Sequence, residues 1–368
     1  MAELFKNIYN ETFFSRFTTS ITAVIPDFDS KSFLKEVYNN EWENKELKQR
    51  MRHITHVLKN NLTNDFKDNI EIILKLIPVL EKNGFKPNNL EFIFFPDFIE
   101  VYGIDHFDTS VNAFEVITQF VSCEFAVRPF IIHYQKTMLQ QMFTWSNHKH
   151  AMVRRLATEG CRPRLPWAMA IPFLKENPEP IIPILENLKN DVSENVRRSV
   201  ANNLNDISKD NPTIVIDLVK KWKNTTKESV SLTKHACRTL LKQGDLEVMK
   251  LFGFGDIDKI KISDFKITTP IVTIGSTLEF LFNIRNTNNT ASKIRLEYGL
   301  YYQKANGSLS KKVFKISEKE YSGDSITVVR RKQSFKVITT RKFHIGKHLL
   351  SIIINGVELD KIDFELIE

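Results

Sequence analysis

Cysteine is scarce in this chain: Cys123, Cys161 and Cys237 are odd in number, far apart and in no Cys-x-x-Cys frame, which excludes a disulfide scaffold and a structural zinc of the usual kind. All three are expected to be reduced packing residues. Long apolar runs are missing too; none approaches the roughly 20 residues of a membrane span. The stretch from Met1 to Arg16 mixes Glu, Lys and Asn where a secretory signal would be apolar, so a cytoplasmic protein without membrane attachment is expected. The histidines form no ligand set. His53 and His56 stand at i, i+3 spacing without an acidic partner motif, so no metal and no cofactor are expected. Low hydrophobicity is absent as well: 42% hydrophobic and 26% charged residues over 368 positions describe a folded chain long enough for two or three domains.

What is present is unevenly distributed. From Lys259 to Glu368 there are 19 Lys and Arg against 11 Asp and Glu, while the first 258 residues hold 33 of each, so the whole net charge of +8 belongs to the last third. Such asymmetry fits a region that meets a polyanion, or one that uses lysine for solubility.

Hydrophobic periodicity changes near Gly253–Asp258. Before it, apolar residues recur with helical spacing, as in Ile70, Ile73, Leu74, Ile77 and in Val196, Val200, Leu204, Ile207. After it they alternate: Leu278, Phe280, Phe282, Ile284, then Ile294, Leu296, Tyr298, Leu300, with an Asn355-Gly356 turn near the end. The fold class expected is an all-α region, residues 1–257, followed by a small all-β sandwich of immunoglobulin-like size, residues 258–368, with about seven or eight short strands.

The helical region repeats itself weakly. Segments beginning at Val153 (VRRLATEG), Val196 (VRRSVANNL) and Thr233 (TKHACRTLL) align at spacings of 43 and 37 residues. A period near 40 with paired helices predicts a HEAT-like array, in which each pair buries its face only against its neighbours. The basic pairs Arg154-Arg155, Arg197-Arg198 and Lys234-His235 recur at the same point of each repeat. Recurrent arginine on a helix face is commonly solvated surface, but repetition in register suggests a track for phosphates. In the sandwich, Arg330, Arg331, Lys332, Arg341 and Lys342 are the corresponding candidates.

Val153–Trp167 reads VRRLATEGCRPRLPW, a helix that stops at a carboxylate and opens into a proline-broken loop with Arg162, Arg164 and Trp167. A carboxylate at a helix C-terminus opposes the local dipole, so Glu159 has a role other than helix stability, unless it is simply solvated beside its arginines. Glu124 falls, by the helical spacing of Val111, Phe114, Ile117, Val121 and Phe125, inside an apolar arc, where Arg128 at i+4 offers an ion pair. Ser199, Asn202, Asn203 and Asp206 form a strip of small polar groups flanking one apolar face, either a solvated flank or a surface that a bulky ligand approaches closely.

MRHITH at Met51–His56, EGCRPRLPW at Glu159–Trp167 and the long run from Ser193 to Pro212 together resemble the HEAT-like-repeat alkylpurine DNA glycosylases, in particular the AlkC branch, over nearly all of residues 1–255. The basic sandwich resembles the immunoglobulin-like domain of some AlkC members. The resemblance implies hydrolysis of the N-glycosidic bond of cationic N3-alkylated bases, such as 3-methyladenine and 3-methylcytosine, in double-stranded DNA, without cofactor and without base flipping. A monomer is expected. Carried over by position, the catalytic carboxylates fall on Glu159 and Asp206, a further cleft acid on Glu124, and the lesion-contacting aromatic on Trp167. A noncatalytic DNA-structure binder and a protein scaffold remain as alternatives; the first would keep the arginines and lose the acids, the second would have no need of a Trp beside paired carboxylates.

Overall fold

The computed structural model describes residues 4–222, 226–337 and 342–368. Among them are sixteen α-helices: α1 (Glu11–Thr22), α2 (Ser30–Val37), α3 (Leu47–Asn60), α4 (Phe66–Lys82), α5 (Phe94–Tyr102), α6 (Phe107–Phe120), α7 (Val127–Tyr134), α8 (Lys136–Trp145), α9 (Ala151–Glu159), α10 (Pro172–Glu176), α11 (Ile182–Leu188), α12 (Glu194–Ile207), α13 (Pro212–Lys221), α14 (Lys227–Ala236), α15 (Arg238–Gln243) and α16 (Leu246–Leu251). Eight strands follow: β1 (Ile260–Ile267), β2 (Ile271–Thr273), β3 (Thr277–Asn286), β4 (Ser292–Gln303), β5 (Leu309–Tyr321), β6 (Ser325–Ser334), β7 (Gly346–Ile354) and β8 (Val357–Ile367).

The helices stack in pairs, as their amphipathic spacing requires. Ile70, Ile73 and Ile77 of α4 are buried, with Leu74 half-buried at the margin of the stripe, and Val196, Val200, Leu204 and Ile207 of α12 are all buried. The three repeated segments begin on α9, α12 and α14, and α12 packs against both of the others. This is the neighbour-on-neighbour burial of a HEAT-like array. Its N-terminal end is closed by phenylalanines: Phe14, Phe17, Phe33, Phe92, Phe94 and Phe95 are all buried, and Phe92 reaches Phe120 on α6 with ring centroids 5.0 Å apart.

The strands form a three-stranded sheet, order β1-β3-β6, and a five-stranded sheet, order β2-β8-β7-β4-β5. The alternating residues expected to face inward do so: Leu278, Phe280, Phe282 and Ile284 of β3, with Ile294, Leu296, Tyr298 and Leu300 of β4, belong to one core. Interior strand β4, between β7 and β5, is covered on both faces, and its Arg295 and Glu297 are buried as an ion pair 2.6 Å apart. Asn355 and Gly356, at φ of 47° and 83°, make the tight hairpin between β7 and β8.

The change from helix to strand falls between Leu251 and Ile260, but the division by packing comes earlier. One compact unit comprises the residues up to Val215 with α14; the other comprises Ile216–Trp222 and everything from Cys237 onward. Helices α15 and α16 thus belong with the sandwich. Gly244, the left-handed cap of α15 at φ 78°, lies so near the hairpin that a Cβ there would stand 2.5 Å from the Gly356 carbonyl oxygen. Asn355 donates to the Gly255 carbonyl at 2.9 Å and Lys293 to that of Phe252 at 2.8 Å.

Candidate active site

Helix α9 ends where the sequence says it must. Gly160 follows Glu159 because a Cβ there would meet Val127 of α7 at 2.6 Å, and Pro163 and Pro166 prevent the helix from continuing. The loop that results is pinned from below by Arg128, whose buried guanidinium donates to the carbonyls of Gly160, Arg162 and Met169 at 2.8, 2.8 and 2.7 Å. Burial pushes the pKa of Arg128 down to about 10, which leaves it charged at neutral pH. Trp167 rides on this loop with φ 66°, a conformation that costs a bulky residue on the order of 1–2 kcal/mol. Lys48 of α3 donates to its carbonyl at 2.8 Å. Trp167 as a whole is 65% exposed, so the strained backbone holds an aromatic residue out to solvent.

That residue borders a cleft of about 520 Å3 lined also by Glu124, Phe125, Arg155, Glu159, Arg162 and Asn195, among others. Along and beneath it acids and bases alternate. Arg155 donates to Glu124 at 2.6 Å and approaches Glu159 at 3.8 Å; Arg162 donates to Glu159 at 2.6 Å and to Asp206 at 2.8 Å; Lys209 donates to the other oxygen of Asp206 at 2.8 Å. Three carboxylates and three cations make a continuous chain. Glu159, Arg162 and Asp206 are buried, and the second oxygen of Glu159 accepts from Ser199 at 2.6 Å, so every charge at this buried centre has a partner, while Glu124, Arg155 and Lys209 at its margins keep some contact with water. The dipole penalty of an acid at the end of α9 is met by these donors.

The structure brings Glu124, Glu159 and Trp167 together on one cleft. Asp206 lies behind it, 1% exposed, joined to the cleft through Arg162. Two expectations need correction. Glu124 is not on a helix: α6 stops at Phe120, Val121 is extended, and Glu124 sits in the turn before α7. Its partner is Arg155, with Ser122 donating at 2.8 Å, rather than Arg128. The polar strip of α12 is neither a solvated flank nor an open surface. Ser199, Asn203 and Asp206 are buried against the end of α9, where Asn203 donates to the Thr158 carbonyl at 2.8 Å and Asn202 alone remains half-exposed. Residues with small polar side chains stand there because α9 offers them buried partners.

The basic residues divide into two groups. Arg154 departs from the expected phosphate track: it grips the Asp191 carboxylate at 2.5 and 3.0 Å and donates to the carbonyls of His148 and Lys149, tying one repeat to the next. Arg197 donates to the carbonyls of Asp191 and Val192 at the same turn. Arg164 is exposed and forks onto Asp210, Arg198 is exposed beside Glu194, and Lys234 is half-buried on α14. In the sandwich, Arg330, Arg331 and Lys332 are exposed on edge strand β6; Arg331 donates to the Ile316 carbonyl and Lys332 pairs with Glu279. Lys342 is exposed, and Arg341 lies outside the described residues. No group of three or more His, Cys, Asp or Glu side chains able to hold a metal ion occurs among the described residues, and no helix there is long and apolar enough to cross a membrane.

Sequence reasoning missed Arg128 as the anchor of the loop, Lys48 as the clasp on Trp167, and Thr158 and Ser199 as hydroxyls beside Glu159. Only Ser199 carried a signal, its place in the polar strip.

Residues 110–240 match the family described as DNA alkylation repair enzyme, and residues 261–368 match the family described as uncharacterised protein YhaZ, C-terminal Ig-like domain. The uncharacterized protein YhaZ of Bacillus subtilis (strain 168) is 42% identical over 366 residues, covering 100% of both chains. Among solved structures, that of the Pseudomonas fluorescens alkylpurine DNA glycosylase AlkC bound to DNA containing an abasic site analog is similar with a TM-score of 0.93 and 33% identity, again covering 100% of each chain. The first matched span contains Glu124, Glu159, Trp167 and Asp206.

Proposed function

Because the chain belongs to the AlkC-like family of DNA alkylation repair enzymes, we propose that it is a monofunctional DNA glycosylase that hydrolyses the N-glycosidic bond of cationic N3-alkylated bases, 3-methyladenine and 3-methylcytosine, in double-stranded DNA. The observation that carries this reading is the Glu124–Arg155–Glu159–Arg162–Asp206 chain beneath a cleft with Trp167 at its border.

An N3-alkylated base is already positive and leaves without being protonated. Breaking the bond returns its electron pair to the base and transfers the positive charge to the sugar. The site's task is to stabilise that sugar cation and to bring water to it. A preorganised carboxylate beside the developing charge contributes on the order of 3 kcal/mol, about 100-fold in rate. Glu159 opens on the cleft and takes this place; water adds to the sugar carbon and its proton passes to a carboxylate. Arg162 holds Glu159 and Asp206 in place while the site is empty, and when it turns to a phosphate beside the lesion both acids face the sugar. Trp167 offers a π face that attracts a cationic base over a neutral one. The exposure of Trp167 at an open cleft supports the further reading that the lesion is worked on without being turned out of the duplex. Arg164, Arg198, Lys234 and the basic residues of the sandwich contact phosphates.

The test is single-turnover base release from DNA carrying either adduct. Glu159→Gln and Asp206→Asn should each slow it by roughly 100-fold or more while binding to abasic-analogue DNA stays within a few fold, and EDTA should change nothing. Full activity in both variants removes the assignment. Tight binding with no release by the unaltered protein would establish the noncatalytic DNA binder instead.

A further inference from the structure

We propose that Ser199, backed by Thr158, is a positioning residue that fixes the Glu159 carboxylate for catalysis; this rests on the reading of Glu159 given above. Ser199 stands on α12, and Thr158 and Glu159 are the last two residues of α9. Ser199 Oγ donates to Glu159 Oε2 at 2.6 Å; the single proton of Thr158 Oγ1 has two acceptors in reach, the Arg155 carbonyl at 3.0 Å and the nearer Ser199 Oγ at 2.5 Å, to which it donates. Both hydroxyls are buried, at 1% and 0% exposure.

The direction of the relay is dictated by the anion. A carboxylate has no proton to give, so Ser199 must donate to it, and the oxygen of Ser199 is then free to accept from Thr158. Two hydroxyls in series, closed off from water, present one aligned donor to one oxygen of Glu159.

The chemical type of this partner is what gives it a function. The other oxygen of Glu159 is held by Arg162, with Arg155 nearby, and a guanidinium offsets the negative charge that is to stabilise the sugar cation. A hydroxyl orients the carboxylate and leaves that charge in place. It is uncharged and buried out of reach of a phosphate, so Ser199 keeps its hold on Glu159 when duplex DNA draws the arginines away.

The experiment is a set of substitutions read by single-turnover release of 3-methyladenine, with binding to abasic-analogue DNA as control. Ser199→Ala should slow release about 10-fold without weakening binding. Ser199→Cys, close to serine in volume and a weak donor, should fall with it, whereas Ser199→Thr, larger but still a donor, should retain most of the rate. In a Glu159→Gln background Ser199→Ala should cost nothing further, because a residue that acts through Glu159 has nothing left to act on. Should Ser199→Ala not fold, Thr158→Val removes the outer hydroxyl at constant volume and should show a smaller loss with the same dependence on Glu159. Unchanged release in Ser199→Ala overturns the proposal, as does a rate that follows side-chain volume or a full additional loss in the Glu159→Gln background. If Glu159→Gln is itself fully active, the failure lies in the reading of the site; if Glu159→Gln is inactive and Ser199→Ala is not, only the positioning role is lost.

Discussion

The helical region and the sandwich use charge in opposite ways. The first 258 residues hold 33 basic and 33 acidic side chains, and at the cleft these meet atom to atom, three acids interleaved with three bases. The last 110 residues carry the entire excess of +8, with Arg330 and Lys332 exposed on an edge strand. Charge balanced at contact distance around the buried Glu159, Arg162 and Asp206 fixes orientation and is little affected by salt. Excess charge on an exposed strand acts over a Debye length of about 10 Å and is screened. On the function proposed above, the contrast gives chemistry to one region and attraction to the other.

The largest effect that can break it is expected at Arg162. Arg162→Leu leaves Glu159 and Asp206 buried without their shared cation, and removal of one partner from a buried ionic group costs about 3–5 kcal/mol. Urea unfolding should show a loss of that order, nearly independent of salt, and base release should vanish. Stability unchanged to within about 1 kcal/mol would mean that the cleft charges are not mutually dependent.

A smaller effect separates the aromatic from the charges. Trp167→Ala should slow excision of N3-methyl adducts by about 10-fold, the worth of one desolvated cation–π interaction, and weaken binding to an uncharged abasic analogue much less. Equal loss in both would make Trp167 a packing residue of the loop.

The smallest effect belongs to the sandwich. Changing Arg330 and Lys332 together to alanine should lower affinity a few fold and flatten the slope of log K against log salt by about 0.9 for each phosphate that is no longer neutralised, with release at saturating enzyme unchanged. The Lys332–Glu279 pair is exposed, so little stability goes with it. An unchanged slope would reassign these residues to guarding the open edge of β6 against pairing with other strands.

Periodicity made both regions legible, since the spacing of Val196, Val200, Leu204 and Ile207 and the alternation along β3 and β4 follow from which face is buried. Glu159 was legible for a different reason: glycine and two prolines mark the end of its helix whatever surrounds it. Glu124 was not. Val121 continues the apolar spacing of α6 and is buried, but it does so in extended backbone, and spacing alone does not distinguish the two. The partner of Glu124 comes from α9, 31 residues away, where local i, i+4 reasoning has no reach. The same limit hid Arg128, which serves carbonyls 32 to 41 positions on. For the strip Ser199–Asp206, composition is equally consistent with water or with a neighbouring helix, and only tertiary packing decides.

Gly244 and Gly356 touch backbone to backbone, each at positive φ, with no room for a Cβ on either. The C-terminal hairpin and the cap of α15 are therefore inherited as one piece. Recombination, truncation or fusion at the helix-to-strand boundary near Ile257 would strip α15 and α16 from the surface they fit, whereas a cut ahead of Cys237 carries both helices across with the strands. A sandwich transplanted onto another helical array should keep its fold only if it brings these last two helices with it.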